Sequence, residues 1–211
     1  MKKLSIIASL LFTKIFVFGQ EIPVQDFPKA TNSNTTDVGK TDSNGQQVGE
    51  WKTYYENGKL RMTGNYLNGK KTGIWKIYYE NGQLWREENF DNGKNIGQRN
   101  EFYQDGTPKA IVHYEKYEES GEKKYFHENG KLYYVGRMLD GKATGEWKYY
   151  YDNGQLRSIG IENDLNKTGE WKYYHENGKL DEARFYDDNG KPTGEWKYYD
   201  KQGKLIKTKK Y

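Results

Sequence analysis

A repeat of 24 residues runs from residue 49 to the end of the chain and restricts the folds that the chain can adopt. The glycines that open successive units are Gly49, Gly73, Gly97, Gly121, Gly145, Gly169 and Gly194, spaced by 24 residues five times and then by 25. A second glycine follows nine residues after each, preceded by Asn or Asp in six of the seven units. Internal periodicity of this length is typical of repeat architectures, in which each unit packs against its neighbours.

The sequence pattern of each unit predicts one β-hairpin. An Asn-Gly or Asp-Gly pair accepts the positive φ angles that a two-residue type I′ turn requires at both central positions. For a turn centred on Asn57-Gly58, the residues that pair across the hairpin are Glu56 with Lys59, Tyr55 with Leu60 and Trp51 with Gly64. Opposite charges would then flank the turn, and a tryptophan ring would cover a cross-strand glycine.

Strand alternation assigns the repeated side chains to two faces of the predicted sheet. The residues at the position of Tyr54 are aromatic in every unit: Tyr54, Tyr78, Phe102, Phe126, Tyr150, Tyr174 and Tyr199. The opposite face carries a tryptophan in five units and Arg99 or Lys123 in the other two. The predicted fold is all-β, an elongated single-layer antiparallel sheet of about seven consecutive hairpins.

The first 48 residues differ from the repeats. Residues 1–20 begin with two lysines and continue with an apolar run interrupted by Lys14, which predicts a secretory signal peptide; an uncleaved membrane anchor is the alternative. Residues 21–48 are rich in Asn, Thr, Ser, Gly and Asp and predict a flexible linker before the repeat domain at 49–211. The predicted location is therefore outside the cytoplasm: periplasm, cell surface or medium.

Charge and cysteine content narrow the function classes. The whole chain has a net charge of +4, but the predicted signal contains three lysines and no acid, so its removal leaves 31 basic against 30 acidic residues. A nucleic-acid-binding surface would need a clear basic excess, and nucleic acid is not an expected partner. The chain contains no cysteine, which excludes disulfides, thiol catalysis and thiolate metal sites.

The repeat pattern G-x-W-K-x-Y-Y-E-N-G-x-L followed by N-G-K-x-x-G resembles the MORN repeat variant of bacterial proteins, and in particular the YwqK family of antitoxins. The resemblance covers residues 49–211. It implies a row of antiparallel hairpins used for binding rather than for chemistry. An antitoxin acting on an intracellular toxin would not be expected to begin with a secretory signal. Either the antitoxin label is only a family name here, or the partner, a toxin or an envelope protein, lies outside the cytoplasm.

No pattern in the sequence predicts an enzyme or a cofactor. His127 and His175 occupy a position held by tyrosine in other units, which predicts a packing role for both. Adjacent acids such as Glu87-Glu88 point to opposite faces of a strand and cannot act as a carboxylate pair. The motifs of nucleotide-binding loops, serine hydrolases and zinc proteases are absent.

The third and fourth units depart from the repeat and are the strongest pointers to function. Arg99 and Lys123 replace tryptophan, Pro108 replaces leucine, and residues 115–120 lack an Asn-Gly turn, which predicts a bend, a distinct binding surface or simple decay of the repeat. The candidate partner-binding residues are Trp51, Trp75, Arg99, Pro108, Lys123, Trp147, Trp171 and Trp196.

The function expected from the sequence is that of an exported, non-catalytic scaffold that binds an unknown protein. The alternative is an envelope or surface module that binds glycans by stacking sugar rings on aromatic side chains. A single-layer sheet also exposes its edge strands, which predicts homo-oligomers as a further form of association.

Overall fold

The computed structural model describes residues 16–17, 20–21, 36–164 and 166–211. Most of the predicted signal peptide and the first part of the predicted linker therefore lie outside the described residues. The chain divides into two units, residues 1–33 and residues 34–211. The described part of the first unit is an antiparallel pair of two-residue strands, β1 (Phe16–Val17) and β2 (Gln20–Glu21).

The second unit is all-β, and its described residues contain no helix. Its strands are β3 (Thr36–Thr41), β4 (Gln47–Tyr54), β5 (Leu60–Leu67), β6 (Lys70–Tyr78), β7 (Leu84–Asp91), β8 (Lys94–Phe102), β9 (Pro108–Glu115), β10 (Glu118–Glu119), β11 (Gly121–Phe126), β12 (Leu132–Leu139), β13 (Lys142–Tyr150), β14 (Leu156–Asn163), β15 (Asn166–Tyr174), β16 (Leu180–Tyr186), β17 (Pro192–Tyr199) and β18 (Leu205–Lys210).

These strands form one open antiparallel sheet of 16 strands whose order follows the chain, with β3 at one edge and β18 at the other. The short strand β10 pairs only with β9. Contacts between strands run between neighbours in the sheet, as expected of a repeat array. The structure thus confirms the predicted fold class, a single-layer sheet of consecutive hairpins.

The sheet begins before the first repeat, which corrects the predicted linker. Residues 36–48 belong to the sheet, because β3 pairs with β4 from Thr36 opposite Tyr54 to Thr41 opposite Gln47. The physical reason is that the indole of Trp51 packs against the backbone of Gly39 on β3. The first tryptophan therefore requires a preceding strand, even though that strand lacks the aromatic pattern of the repeats.

The turns at the hairpin tips differ from the predicted two-residue turns. The Tyr55 N–H donates to the Lys59 carbonyl, and only Gly58 has positive φ, so the loop is a type I turn followed by a left-handed glycine. Tyr54 rather than Tyr55 pairs with Leu60, while Trp51 pairs with Gly64 as predicted. The Asn57 carboxamide oxygen accepts the Lys59 N–H, which stabilises this three-residue loop.

The type I′ geometry occurs instead in the turns between hairpins. Asn68-Gly69, Asn92-Gly93 and Asp140-Gly141 have positive φ at both positions and join directly paired strands. The corresponding connection after β16 is a longer loop, in which the Asp187 N–H donates to the Lys191 carbonyl. This extra residue accounts for the single 25-residue interval in the repeat.

The buried side of the sheet is the tryptophan face, the side that carries Trp51, Trp75, Trp147, Trp171 and Trp196. Trp75 and Trp171 are 0% exposed. A second aromatic row on the same face separates successive indoles: Tyr66 lies 5.8 Å from Trp51 and 4.9 Å from Trp75, measured between ring centroids. Within the described residues, no helix has the length and apolar character needed to cross a membrane.

Candidate functional site

The tryptophans lock each repeat onto the one before it. The indoles of Trp51, Trp75, Trp147 and Trp171 lie so close to Gly39, Gly64, Gly136 and Gly160 that a Cβ atom on any of these glycines would overlap a ring. The cross-strand register was predicted correctly, since Trp51 pairs with Gly64. The covering ring, however, comes from the next hairpin, because Trp75 and not Trp51 lies over Gly64.

The third and fourth units lose the tryptophan and its glycine together. Arg99 stands where a tryptophan would be, and the residue at the position of the covered glycine is Glu88. Lys123 likewise stands where a tryptophan would be. The residue at the corresponding glycine position is Val112, which is 1% exposed. Neither Glu88 nor Val112 leaves room for an indole, so both residues of each pair have changed in a way that preserves packing.

An ion network replaces the aromatic packing at this part of the tryptophan face. It consists of Arg86, Glu88, Arg99, Glu101, Glu119 and Lys123, three cations and three anions. Glu101 is 4% exposed, and its Oε1 atom lies 3.0 Å from Arg86 Nη2 and 3.2 Å from Arg99 Nε. Lys123 reaches Glu119 at 2.8 Å, and Arg99 donates to the Tyr114 hydroxyl.

The ion network brings together two of the predicted site residues, Arg99 and Lys123, and leaves Pro108 apart. Pro108 is exposed at the start of β9, opposite Phe102. The cations and anions of the network are equal in number. Removing one of these buried ions would leave another without a counter-ion, so the network tolerates little change. Loss of any one of these side chains is therefore expected to be costly for the fold.

The missing Asn-Gly turn of the third unit does not interrupt the sheet. Lys116 and Tyr117 occupy the two central positions of the turn with φ angles of 48° and 73°. Glu115 pairs with Glu118 across this turn, and Ala110 still pairs with Tyr125 on the next hairpin. Side chains other than Gly, Asn and Asp rarely adopt this conformation, so the turn carries strain that the other connections avoid.

A row of hydrogen bonds joins successive hairpin tips. It includes His127 and His175, the two histidines for which the sequence predicts a packing role. The Tyr79 hydroxyl donates to the Phe102 carbonyl at 2.8 Å, and the same bond recurs 24 residues later from Tyr103. His127 Nε2 and His175 Nε2 each lie 3.1 Å from the equivalent carbonyl oxygens. Because a carbonyl only accepts, Nε2 carries the proton, and the prediction that these histidines substitute for tyrosine is confirmed.

The predicted charge clamp at the hairpin tips is wrong. Instead of pairing with Glu56, Lys59 extends to the Asn81 carbonyl of the next hairpin at 3.3 Å. Lys131 and Lys179 make the equivalent bonds to the next tip at 3.0 and 2.9 Å. The reason is that the three-residue loop turns the lysine away from its own hairpin, so that the tips bind to each other along the array.

A tyrosine-rich cluster lies on the tryptophan face in the fourth, fifth and sixth units. It contains Tyr134, Tyr149 and Tyr173 around Trp147 and Trp171. Burial raises the pKa of all three tyrosines above the usual range, most strongly for Tyr149, whose hydroxyl also donates to Glu162 at 2.7 Å. The cluster therefore remains uncharged at any physiological pH.

Lysines cover the tryptophan ring at two equivalent repeat positions. Lys71 Nζ lies 4.4 Å from the centroid of Trp75, and Lys167 Nζ lies 4.3 Å from that of Trp171. Burial lowers the pKa of both amines, and that of Lys167 falls to about 7. Sequence reasoning missed both lysines; the signal was their position four residues before a tryptophan.

The opposite side of the sheet is the tyrosine face, the side that carries Tyr54, Tyr78, Phe102, Phe126, Tyr150, Tyr174 and Tyr199. All seven rings are half-buried. Beside them lie exposed ion pairs such as Lys52–Glu50 at 3.0 Å, Lys148–Glu146 at 2.8 Å and Lys172–Glu170 at 3.2 Å. Sequence reasoning identified the aromatic row but did not assign it to the accessible side.

Among the described residues, no group of three or more His, Cys, Asp or Glu side chains is placed to hold a metal ion. His113, which had no evident partner in the sequence, donates from Nδ1 to the Glu122 carbonyl at 2.9 Å. This hydrogen bond joins β9 to β11.

Two solved structures show some similarity to parts of this chain. The crystal structure of TcdB2-TccC3 aligns with 82% of this chain at 14% identity and a TM-score of 0.19, and TcdB2-TccC3-Cdc42 aligns with 92% at 14% identity and a TM-score of 0.19. This chain spans only 14% and 15% of those two chains. No curated protein matches the chain.

The sequence profile of one family matches more than half of the chain. The matched residues are 47–68, 71–92, 119–138, 143–161, 167–188 and 192–211. The match omits residues 93–118, the segment that contains Arg99, Pro108 and the strained Lys116-Tyr117 turn. With its hairpin sheet and its repeated sequence, the chain belongs to the MORN repeat variant family.

Proposed function

We propose that this protein is an exported, non-catalytic repeat scaffold that binds another protein through its tyrosine face. The observation that carries the proposal is the different exposure of the two aromatic rows. Four of the five tryptophans on the tryptophan face are at most 6% exposed, whereas the seven rings of the tyrosine face are half-buried and recur on every hairpin. The second row is the one that a partner can reach.

Protein interfaces favour surfaces of this composition. Tyrosine supplies a large rigid contact area with a polar end, and it is enriched in the centres of interfaces. On the tyrosine face five of the seven rings follow a glutamate and a lysine on the same strand, such as Tyr150 after Glu146 and Lys148. A partner would cover the rings, and the flanking charges would determine the position along the sheet at which it binds.

A glycan-binding function receives less support. Sugar rings stack on flat exposed aromatic faces, and tryptophan is the ring best suited to this. Trp75, Trp147 and Trp171 have no accessible face for a sugar, since they are 0%, 5% and 0% exposed. The buried row therefore serves packing between repeats, and only the smaller tyrosine rings are available for stacking.

The partner follows from the resemblance to YwqK-type antitoxins and from the amino-terminal sequence. An antitoxin is one form of a protein-binding scaffold, and its partner would be a toxin. The proposed signal at residues 1–20 places the encounter outside the cytoplasm, where an envelope protein or an exported toxin would be bound. No nucleic acid, cofactor or stable membrane insertion belongs to this proposal.

Affinity capture with charge-reversal variants tests the protein-binding proposal. Residues 21–211 are immobilised and exposed to envelope and cytoplasmic fractions of the producing cell. Lys148→Glu with Lys172→Glu changes the tyrosine face, and Lys191→Glu with Lys201→Glu makes the same change in charge at exposed turns. We expect the first pair to abolish capture of an envelope protein that the second pair retains.

Two results would overturn the proposal. Equal capture by both variants would show that the tyrosine face is not the binding surface. Binding or thermal stabilisation by members of a glycan array, with no protein captured, would establish the glycan alternative. Capture of a cytoplasmic toxin alone would contradict the proposed location while supporting the scaffold.

The mass of the native protein tests export separately. A protein recovered from the envelope or the medium should lack roughly the first 20 residues. A full-length chain confined to the cytoplasm would contradict the signal peptide.

A further inference from the structure

We propose that Lys167 is a reactive amine that binds small carbonyl compounds covalently as an imine. This goes beyond the scaffold function, because it assigns a chemical reaction to the tryptophan face. The proposal rests on the groups around the ammonium nitrogen and on a comparison of two equivalent sites within the same chain.

An aromatic box surrounds the Lys167 side chain. Its Nζ lies 4.3 Å from the centroid of Trp171, 5.0 Å from that of Tyr173 and 5.9 Å from that of Tyr186. The Tyr173 hydroxyl is within hydrogen-bond distance of Nζ, at 2.6 Å. Lys167 is half-buried, and its enclosure by these rings removes water from around the amine.

Charged groups on the neighbouring strands shift the amine toward its neutral form. Arg184 on β16 and Arg157 on β14 repel the ammonium, whereas Glu162, directly opposite Lys167 on β14, stabilises it. Glu182 pairs with Arg184, and burial raises the pKa of Tyr173 well above its usual range, so that its hydroxyl is neutral. Burial is the largest effect, and together these groups lower the pKa of Lys167 to about 7.

Lys71 provides an internal comparison, because it occupies the same repeat position against Trp75. Ile77 stands in place of Tyr173, Phe90 in place of Tyr186 and Glu88 in place of Arg184. The Lys71 box thus has the apolar contacts without a hydroxyl and has an anion where the Lys167 box has a cation. Burial also lowers the pKa of Lys71, but the Glu88 carboxylate opposes this shift.

The neutral amine is the nucleophile in imine formation. The nitrogen lone pair of Lys167 attacks the carbonyl carbon of an aldehyde, a C–N bond forms, and a proton moves from nitrogen to the former carbonyl oxygen. Loss of water then leaves the C=N bond, with the Tyr173 hydroxyl placed to exchange the protons. At pH 7 about half of an amine with a pKa of 7 is neutral, compared with roughly one part in 2,500 of an ordinary lysine.

Reductive methylation of the intact chain tests this proposal. Limiting formaldehyde with cyanoborohydride converts each imine to a stable methylamine, and peptide mass spectrometry gives the initial rate at every lysine between pH 5.5 and 10. At pH 7 we expect Lys167 to react at least about tenfold faster than exposed Lys201, with Lys71 between them. The Lys167 rate should level off near pH 7 to 8.

The variant Arg184→Gly identifies the cause of the reactivity. Glycine is the residue that the tryptophans cover in four other repeats, so this change should preserve packing beneath Trp196 while removing the cation. We expect the Lys167 rate at pH 7 to fall severalfold and its pH midpoint to rise. Lys167 reaction no faster than that of Lys201, or a rate that is unaffected by Arg184→Gly and still rising at pH 10, would overturn the proposal.

Discussion

Four glycines of the sheet have an indole ring packed directly on their backbone: Gly39, Gly64, Gly136 and Gly160. Each has been kept without a side chain because the ring of the following hairpin occupies the space. The positions are paired in these repeats, since Glu88 and Val112 stand where Arg99 and Lys123 replace the ring; Arg184, against Trp196, is a side chain at the glycine position of a repeat that keeps its tryptophan. The residue on the adjacent hairpin, and not local backbone preference, thus determines which side chain this repeat position can hold.

Replacing Gly160 by alanine tests this pairing. A Cβ at residue 160 would overlap the Trp171 ring, so we expect Gly160→Ala to lower the free energy of unfolding by about 1–3 kcal/mol in urea denaturation. In a Trp171→Ala background the same change should cost close to nothing. Equal losses in both backgrounds would contradict direct packing of the ring on the glycine.

The histidine at the hairpin tip offers a second test at the residue scale. His127 donates to the Tyr150 carbonyl as tyrosine does in other repeats. We expect His127→Tyr to change stability by less than about 0.5 kcal/mol and His127→Phe to cost about 1 kcal/mol, because phenylalanine leaves the carbonyl without its donor. Tyr151→Phe in the next repeat is the matched control and should cost a similar amount.

At the scale of the hairpin, the ion network takes the place of one aromatic contact. The carboxylate of Glu101 on β8 forms ion pairs with Arg86 from β7 and with Arg99 from its own strand. Buried ion pairs seldom add stability over apolar packing, but breaking one is costly. The main effect of the network is therefore to give the third hairpin charged contacts where the other hairpins have aromatic ones.

Restoring the tryptophan pair should show this. Arg99→Trp alone places an indole against Glu88, and we expect a loss of about 2–4 kcal/mol in the free energy of unfolding. Adding Glu88→Gly provides the space, and the double variant should recover about 1–2 kcal/mol of that loss. A double variant less stable than Arg99→Trp would show that Glu88 has a role beyond filling the glycine position.

At the scale of the whole sheet, contacts run between neighbouring strands, so stability should fall from the middle of the array to its edges. All residues of β3 and β18 are exposed, whereas β13 and β15 contain buried tryptophans. Hydrogen exchange followed by mass spectrometry should show β3 and β18 exchanging first. Uniform exchange along residues 36–211 would indicate a single cooperative unit instead.

The sequence by itself determined the hairpins, their number, the two alternating faces and the structural role of the histidines. These follow from local rules, because glycine spacing and strand alternation act over a few residues. The exact turn at Asn57-Gly58 could not be read in this way, since both a two-residue and a three-residue loop accept Asn-Gly, and the Asn57 side chain favours the longer one.

Only the tertiary structure decided which aromatic row is accessible and what each tryptophan covers. Alternation separates the Trp75 and Tyr78 positions but does not say which face packs inward, because both rows are rich in aromatic rings. Packing between successive hairpins made the decision: Gly64, beneath the indole of Trp75, permits an approach that buries this ring completely. The same packing placed Lys167 in its aromatic box, through residues separated along the chain and joined across strands.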